Sequence, residues 1–514
     1  MPASEAVAGR IGKAEGQTPM MDDRGKSDRP VVPTNPPNKA SAAEAEEGRG
    51  LAKGNVGQQN VPRTQSRTGT PSALDCVRRA ARQRRDEKFT ALFHHLTIDL
   101  LRMSFYALKR TAAPGVDGVT WEQYGQDLES NLQNLHGRLH RGVYRAKPSR
   151  RAFIPKADGK QRPLGIASLE DKVVQRAVVT VLNGIYEVDF LGFSYGFRPG
   201  RNQHRALDAL AVGILRRKVN WVLDADIRGF FDNLSKEWLL RFLEHRVGDR
   251  RILRLIQKWL NAGVLHDGVK TVADTGSPQG ATISPLLANV YLHYAFDLWV
   301  EWWRRRNVRG DVIVVRYADD IVLGFQYETD ASQFRTALGL RLAKFGLELH
   351  PDKTRLLRFG RYAARERRVR GEGKPEAFDF LGFTHICGRS RAGHFLLLRH
   401  TVSQRMRSVL KTIRLELKTR RHLPVPVQGL WLQQKLRGYF AYHAIPTNIP
   451  RLSAFRTQVV RSWLFALRRR SQRTRMTWER MKRLESRWIP SPHVLHPWPE
   501  QRFDAMTQGK SPVR

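Results

Sequence analysis

"VIVVRYADDIVLGF", residues 312–325, sets two adjacent carboxylates, Asp319 and Asp320, inside a run of Val, Ile, Leu and Phe. The apolar, β-branched flanks predict a buried strand pair with the acids at the turn between them. Asp is a common turn residue, and an isolated Ala-Asp-Asp would mean no more than that. A second acidic pair changes the weighting. In "WVLDADIRGFFDN", residues 221–233, Asp224 and Asp226 again close an apolar strand. If the two segments pair in one sheet, Asp226 and the Asp319/Asp320 turn converge at one edge. Converging carboxylates are costly unless cations neutralise them. Mg²⁺ suits that role, because it takes a few carboxylates together with substrate phosphates. Two such ions about 3.5–4 Å apart stabilise both the attacking and the leaving oxygen of an in-line phosphoryl transfer.

The charge of the whole chain agrees with such a substrate. Its 514 residues, enough for two to four domains, carry 89 Lys plus Arg against 48 Asp plus Glu, a formal charge of +41. A protein this basic calls for a polyanion, with nucleic acid the usual partner and an anionic membrane surface the rival. No run reaches the ~18 apolar residues of a membrane span. The N-terminus has no apolar signal core, and its acids argue against a transit peptide, so a cytoplasmic location is expected. Cys76 and Cys387 lie far apart, too few for a four-ligand zinc site or a disulfide framework. An appended nuclease domain with a CxxC zinc cluster is therefore not expected. Basic chain, triphosphate chemistry and a carboxylate hairpin together point to a nucleotide polymerase.

Along the chain the texture changes three times. Residues 1–72 are rich in Gly, Ala, Pro, Ser and charge and poor in aromatics, which predicts a disordered leader. Within a segment of about 73–150, a helical period runs through Leu92, Phe93, Leu96 and Leu100 and ends at the loop "TAAPGVDGVT", residues 111–120. Between 151 and 390 strand-like and helix-like segments alternate. They include a helix from "SKEWLLRFLEHRV" capped by Ser235 and a long helix from "SPLLANVYLHYAFDLWVEWWRRR" capped by Ser284. Beyond 390 helical periods dominate, with a region to about 475 and a basic tail over 476–514. Residues 401–500 hold 21 Lys or Arg, four Glu and no Asp, interleaved with rings such as Trp431, Tyr439, Tyr442 and Trp463. A basic run is often only a solvated face. Persistence over a hundred residues with interleaved rings favours phosphate tracking and base stacking.

"RYADD", "DADIRGFFDN" and "GSPQGATISPLLANVYL" together resemble the reverse transcriptase and maturase encoded by group II introns, in a lineage without an HNH endonuclease domain. The order of blocks agrees. "PGVDGVTWEQY" resembles the family's N-terminal extension, "FIPKADGKQRPLGI" and "FSYGFRPGRNQHRAL" its first finger and palm blocks. "GLELHPDKTRLLRFGR" and "FDFLGFTHICG" resemble its late palm blocks, and "WLQQKLRGYFAYHAIPTN" its thumb or X region. The likeness runs over about residues 75–500. It implies an α+β right-hand polymerase with fingers, a palm carrying a small antiparallel sheet, and a helical thumb. The implied activity is RNA-templated DNA synthesis from a DNA primer, with Mg²⁺ and dNTPs, joined to binding of group II intron RNA in splicing and insertion into target DNA.

Asp226, Asp319 and Asp320 are the expected catalytic metal ligands. Residues two apart share a face of a regular strand, so spacing leaves Asp224 open as a group behind them. The resemblance implies that an aromatic at Phe231 lies under the incoming sugar and excludes a 2′-hydroxyl; the plainer reading makes Phe230 or Phe231 core. It implies too that Lys156 and Arg162 clamp the triphosphate. Gln279 would hydrogen-bond the nucleotide, with Gly280 allowing close backbone approach. Lys353 is a candidate proton donor to pyrophosphate, or one more surface cation. Arg437, Tyr439 and Tyr442 are candidates for RNA contact. Two other readings stand beside the main one: a domesticated reverse transcriptase of repair or phage defence, and an RNA-binding splicing factor whose polymerase has decayed. Oligomeric state is not legible.

Overall fold

Alternating apolar residues in 221–225 and 312–325 place these segments in one antiparallel sheet, and the rest of the fold is built on its two faces. The computed structural model describes residues 73–155, 161–272, 275–276, 280–470 and 476–507. The expected leader, Lys156 and Gln279 lie outside the described residues. In chain order the described strands are β1 (Ser149–Pro155), β2 (Gln161–Ile166), β3 (Trp221–Ala225), β4 (Val264–His266), β5 (Val269–Thr271), β6 (Val312–Tyr317), β7 (Asp320–Phe325), β8 (Arg355–Arg358), β9 (Phe378–Phe380), β10 (Phe383–Arg389) and β11 (Phe395–Thr401). They form three small sheets, ordered β2-β1-β4-β5, β6-β7-β3-β8 and β11-β10-β9. With the surrounding helices this is the expected α+β class.

The central sheet separates two cores because its side chains alternate. Leu223, Ala225, Val314, Ile321, Leu323 and Phe325 face the helices Leu169–Asp189 and Ser284–Leu292. Val222, Ile313, Val315, Val322 and Leu357 face the helix Gln203–Arg216 and the β9–β11 sheet. That helix lies close to the sheet because Gly213 faces Ile313, where a Cβ would come within 2.9 Å of the Ile313 side chain. The helix Ala73–Gln83 is tied down by buried Arg246, which donates to the carbonyls of Ala81, Arg84 and Glu87 and pairs with Asp189 at 2.8 Å.

Local sequence sets most helix starts. The Thr97, Ser168 and Ser235 hydroxyls accept from the backbone three residues on, and Thr120 with Gln123 completes a capping box. Ser284 differs from expectation. It is the first helical residue, and Ile283 before it offers no side-chain cap. The long helix expected there is also interrupted: a π turn, His293–Asp297, separates Ser284–Leu292 from Leu298–Arg306. The turn inserts an extra residue into the helical ladder and rotates the segment beyond it.

The C-terminal helices form their own core. Helices Ser403–Thr419, Val425–His443 and Ile449–Arg468 bury Leu410, Ile413, Leu432, Leu436, Phe455 and Trp463. The described part of the expected basic tail folds back. Met481 and Ile489 enter this same core. The last helix, Pro499–Thr507, lies against Gln203–Arg216, with Phe503 in the second core and Asp504 paired to Arg216 at 2.7 Å.

Trp463 is fully buried and its indole N–H donates to Gln428 at 3.0 Å. Trp463→Ala is expected to destabilise the C-terminal helices by about 3–5 kcal/mol, read as a lower denaturant midpoint for that part of the protein.

Candidate active site

Strands β6 and β7 are joined by a two-residue turn, with Tyr317 opposite Asp320 as the closing pair. Ala318 takes φ +57°, a left-handed value usual for Gly in this kind of turn. Strand β3 then pairs with β7 so that Asp224 lies opposite Val322 and Ala225 opposite Ile321. One residue further, Asp226 arrives beside Asp320. The structure therefore brings Asp226, Asp319 and Asp320 to one edge of the sheet. Thr354 and His350 fix the Asp226 backbone: the His350 N–H donates to its carbonyl at 2.8 Å, and its own N–H donates to the Thr354 hydroxyl at 3.4 Å.

The electrostatics reflect the crowding. Asp320 can be reached by water, yet protein lines the cleft around it closely. That desolvation, with Asp319 and Asp226 nearby, pushes its carboxyl up to about 7. Asp319 is raised as well, by burial and by Asp226, against the pull of its own backbone N–H, Arg162 and Arg316. Burial lifts Asp224 to about 6, partly offset by Arg355 across the strand pair at 3.5 Å. Lys353 Nζ meets Asp226 Oδ2 at 3.0 Å. Among the described residues no three His, Cys, Asp or Glu side chains already close around a single point. The donor set at this edge is carboxylate oxygen, without the imidazole or thiolate of a zinc site, and its members repel one another. Both properties fit a hard divalent cation whose shell is completed by substrate.

Around this edge stand the other expected residues. Arg162, exposed on β2 and opposite Ile154, is close enough for its charge to act on Asp319. Phe230 is buried, whereas Phe231, next to it in the short helix Phe230–Asn233, keeps part of its ring uncovered. Gly276 and Gly280, the described residues nearest Gln279 on either side, both pack closely here. Gly276 passes so near that a Cβ would lie 3.2 Å from the Phe231 carbonyl, and a Cβ on Gly280 would lie 3.0 Å from Gly165 of β2.

A family model described as reverse transcriptase (RNA-dependent DNA polymerase) matches residues 154–385. The chain is 32% identical over 333 residues to protein YkfC of Escherichia coli, covering 58% of this chain and 83% of that one. It is 33% identical over 229 residues to the group II intron-encoded protein LtrA of Lactococcus lactis, covering 44% of this chain and 37% of LtrA. A 91 kDa protein in the cob intron of Schizosaccharomyces pombe is 42% identical over 146 residues, 28% of this chain and 18% of that protein. The chain belongs to the group II intron reverse transcriptases. Its fold is the right-hand polymerase, its central domain is an RNA-directed DNA polymerase domain, and reverse transcriptases generally use divalent metal ions. Among the described residues no helix is long and apolar enough to cross a membrane.

In the C-terminal helices of this reverse transcriptase the three candidates for RNA contact separate. Arg437 is exposed on the helix Val425–His443. Tyr439 is buried, its ring stacked on Phe455 with centroids 4.0 Å apart, so its face is taken by protein. Tyr442 donates its hydroxyl to the Leu381 carbonyl at 2.7 Å and stacks on Phe383, which makes it a joint between the helix Val425–His443 and the β9–β10 turn. Both tyrosines correct the expectation that they are free to stack on bases. Arg405, by contrast, is a residue of this edge that the sequence pattern does not single out. It stands in the first turn of the helix Ser403–Thr419, beside Gly382, and is the cation that most lowers the Asp320 carboxyl. Nothing local in "VSQRMRS" marks it.

Ionising Asp320 costs the metal-free fold. Its carboxyl titrates near 7 when folded and at 3.8 ordinarily, so stability falls as pH rises through that window. In EDTA at pH 8, Asp320→Asn is expected to melt above wild type, with the gap shrinking at pH 5, where the native side chain is already protonated.

Proposed function

We propose that this chain extends a DNA primer along an RNA template, using dNTPs and Mg²⁺ held by Asp226, Asp319 and Asp320. The observation that carries the reading is the meeting of those three carboxylates at one sheet edge, set by the pairing of β3 with β7. When bound, a pair of Mg²⁺ ions lowers the pKa of the primer 3′-hydroxyl and neutralises the departing pyrophosphate. Arg162 receives the triphosphate from the finger side, its guanidinium matching phosphate oxygens in a bidentate fork. Lys156 and Gln279 are proposed to join it. Phe231 presents its uncovered ring beneath the sugar, where a rigid edge leaves no room for a 2′-hydroxyl. Lys353 stands at the carboxylate edge, where a released ammonium would hand its proton to pyrophosphate.

Group II intron RNA is the proposed polyanionic partner, bound by the exposed basic face of the thumb, Arg437 included. What supports it is the charge of +41 together with relatives named as group II intron-encoded or lying within introns. Target DNA is proposed as the acceptor of insertion.

Primer extension on an RNA template tests the reading. Wild type is expected to incorporate dNTPs in Mg²⁺, and Asp319→Ala to lose incorporation by several orders of magnitude while keeping its RNA affinity. A wild type that binds RNA and extends nothing would favour a splicing factor without polymerase activity. Phe231→Ala is expected to admit ribonucleotides, read as a rise in rNTP over dNTP incorporation at unchanged primer binding.

A further inference from the structure

Arg316 lies inside the motif RYADD, yet its side chain has no exposure to water. All five of its N–H groups find acceptors. The Nε donates to Asp297 Oδ1 at 2.7 Å and Nη2 to Asp297 Oδ2 at 2.5 Å. Nη2 also donates to the Ser194 hydroxyl at 2.7 Å. Nη1 donates to Asn289 Oδ1 at 3.0 Å and to the Ala318 carbonyl at 3.1 Å. That last acceptor belongs to the peptide bond that leads into Asp319.

Each partner bears on the turn. Asp297 is itself fully buried and ends the π turn that interrupts its helix. Asn289 reaches the other way and donates to the Gly196 carbonyl at 2.7 Å. Gly196 lies flat against the turn, where a Cβ would be 2.3 Å from the Ala318 nitrogen. The backbone beside it is bonded to Arg316 from both sides, Arg316 N–H to Phe193 at 2.9 Å and Tyr195 N–H to Arg316 at 2.8 Å. Ala318 is thus held at its positive φ between a guanidinium on its carbonyl and a glycine on its nitrogen. Such a conformation is strained for a residue with a Cβ and persists only where its surroundings over-determine it.

A buried Arg–Asp pair is a poor way to gain stability, since apolar residues of similar volume do as well or better. Here the pair is spent on direction. We propose that Arg316 is a positioning residue for the reaction: through the Ala318 carbonyl it sets the angle at which the turn presents Asp319, and so the geometry in which a divalent cation is held. The inference rests on the metal-ligand reading of Asp319, and its test separates the two.

Three variants carry the test: Arg316→Lys, which keeps a charge opposite Asp297 and loses the fork; Ser194→Ala, which removes one bond at the rim; and Asp319→Ala as the metal-blind reference. Hydrogen exchange of the Ala318–Asp320 amides is read alongside the global melting temperature, and Mn²⁺ binding to the protein alone is read by EPR. The expected result is faster exchange confined to the turn in both network variants. Mn²⁺ affinity should fall about tenfold in Arg316→Lys, the scale seen when groups supporting metal ligands are removed, and less in Ser194→Ala. A merely structural arginine would speed exchange throughout the palm in step with the melting temperature. That pattern, or folded variants with wild-type turn protection and Mn²⁺ affinity, overturns the proposal. Should Arg316→Lys fail to fold, Ser194→Ala decides the matter. Should wild type bind Mn²⁺ no better than Asp319→Ala, the ligand reading fails by itself, while turn exchange still judges the positioning role.

Discussion

Strand β3 meets β7 in a register that sets Ala225 opposite Ile321, and the chemistry of the palm hangs on that register. Because side chains alternate, a slip of one residue would turn Asp224 and Asp226 into the core that Leu223 and Ala225 now fill. The register is well determined by apolar packing on both faces. It therefore delivers the acidic residues to the open end with little freedom to separate. Two like charges 4 Å apart repel by about 4 kcal/mol at an effective dielectric constant near 20, against a total stability of about 5–15 kcal/mol for a whole domain. Cations gathered from elsewhere offset this. Lys353 and Arg355 come from the segment around β8, Arg162 from β2 and Arg405 from the helix Ser403–Thr419.

The C-terminal helices are joined to the central domain by neutral bonds as well as by charge. Tyr442 bonds the β9–β10 turn, and buried Asn448 ties the strand end at Thr401 to the helix end at His443. The final helix adds a further attachment, placing Asp208 between Arg399 at 3.3 Å and Arg502 at 2.9 Å. These bonds hold the C-terminal helices against the central domain on one side, while basic residues such as Arg437 stay exposed and the rings of Tyr439, Phe455 and Trp463 keep the helices together.

Sequence pattern discloses the parts of this structure that are local. A period of two in 312–325, broken by two acids, is enough to read a hairpin, and a like strand ending in Asp226 is enough to read a shared edge. Hydroxyl caps such as Ser235 depend on one residue and its neighbours. Other features are non-local and leave no pattern. Arg216 and Asp504 meet across 288 positions, and without any local sign of that pairing the tail reads as open. Tyr439 shows a different difficulty. A ring at helical spacing beside Leu432 and Leu436 is equally a core residue and a stacking platform, and the distinction depends on Phe455 arriving from another helix. Arg316 is hidden by its own motif, since a charge within a buried strand declares nothing about its acceptors until Ser194, Asn289 and Asp297 are in place.

Lys353 shows why the carboxylate edge has to be understood in two states. Without a cation, its ammonium is the direct partner of Asp226 and relieves part of the repulsion. On the proposed reading, the metal takes that carboxylate and the ammonium must leave it. A lysine on a flexible stem can do so at small cost, whereas an arginine in a bidentate pair would resist. The freed charge then stands beside the place where pyrophosphate gathers negative charge, so one side chain serves the resting enzyme and the reacting one. Arg355 cannot take that part, because it is paired with Asp224 on the neighbouring strand and faces the carboxylate that lies behind the edge. On the proposed reading, a lysine at the ligand and an arginine behind it divide the work of holding the empty edge together and of releasing Asp226 to the metal.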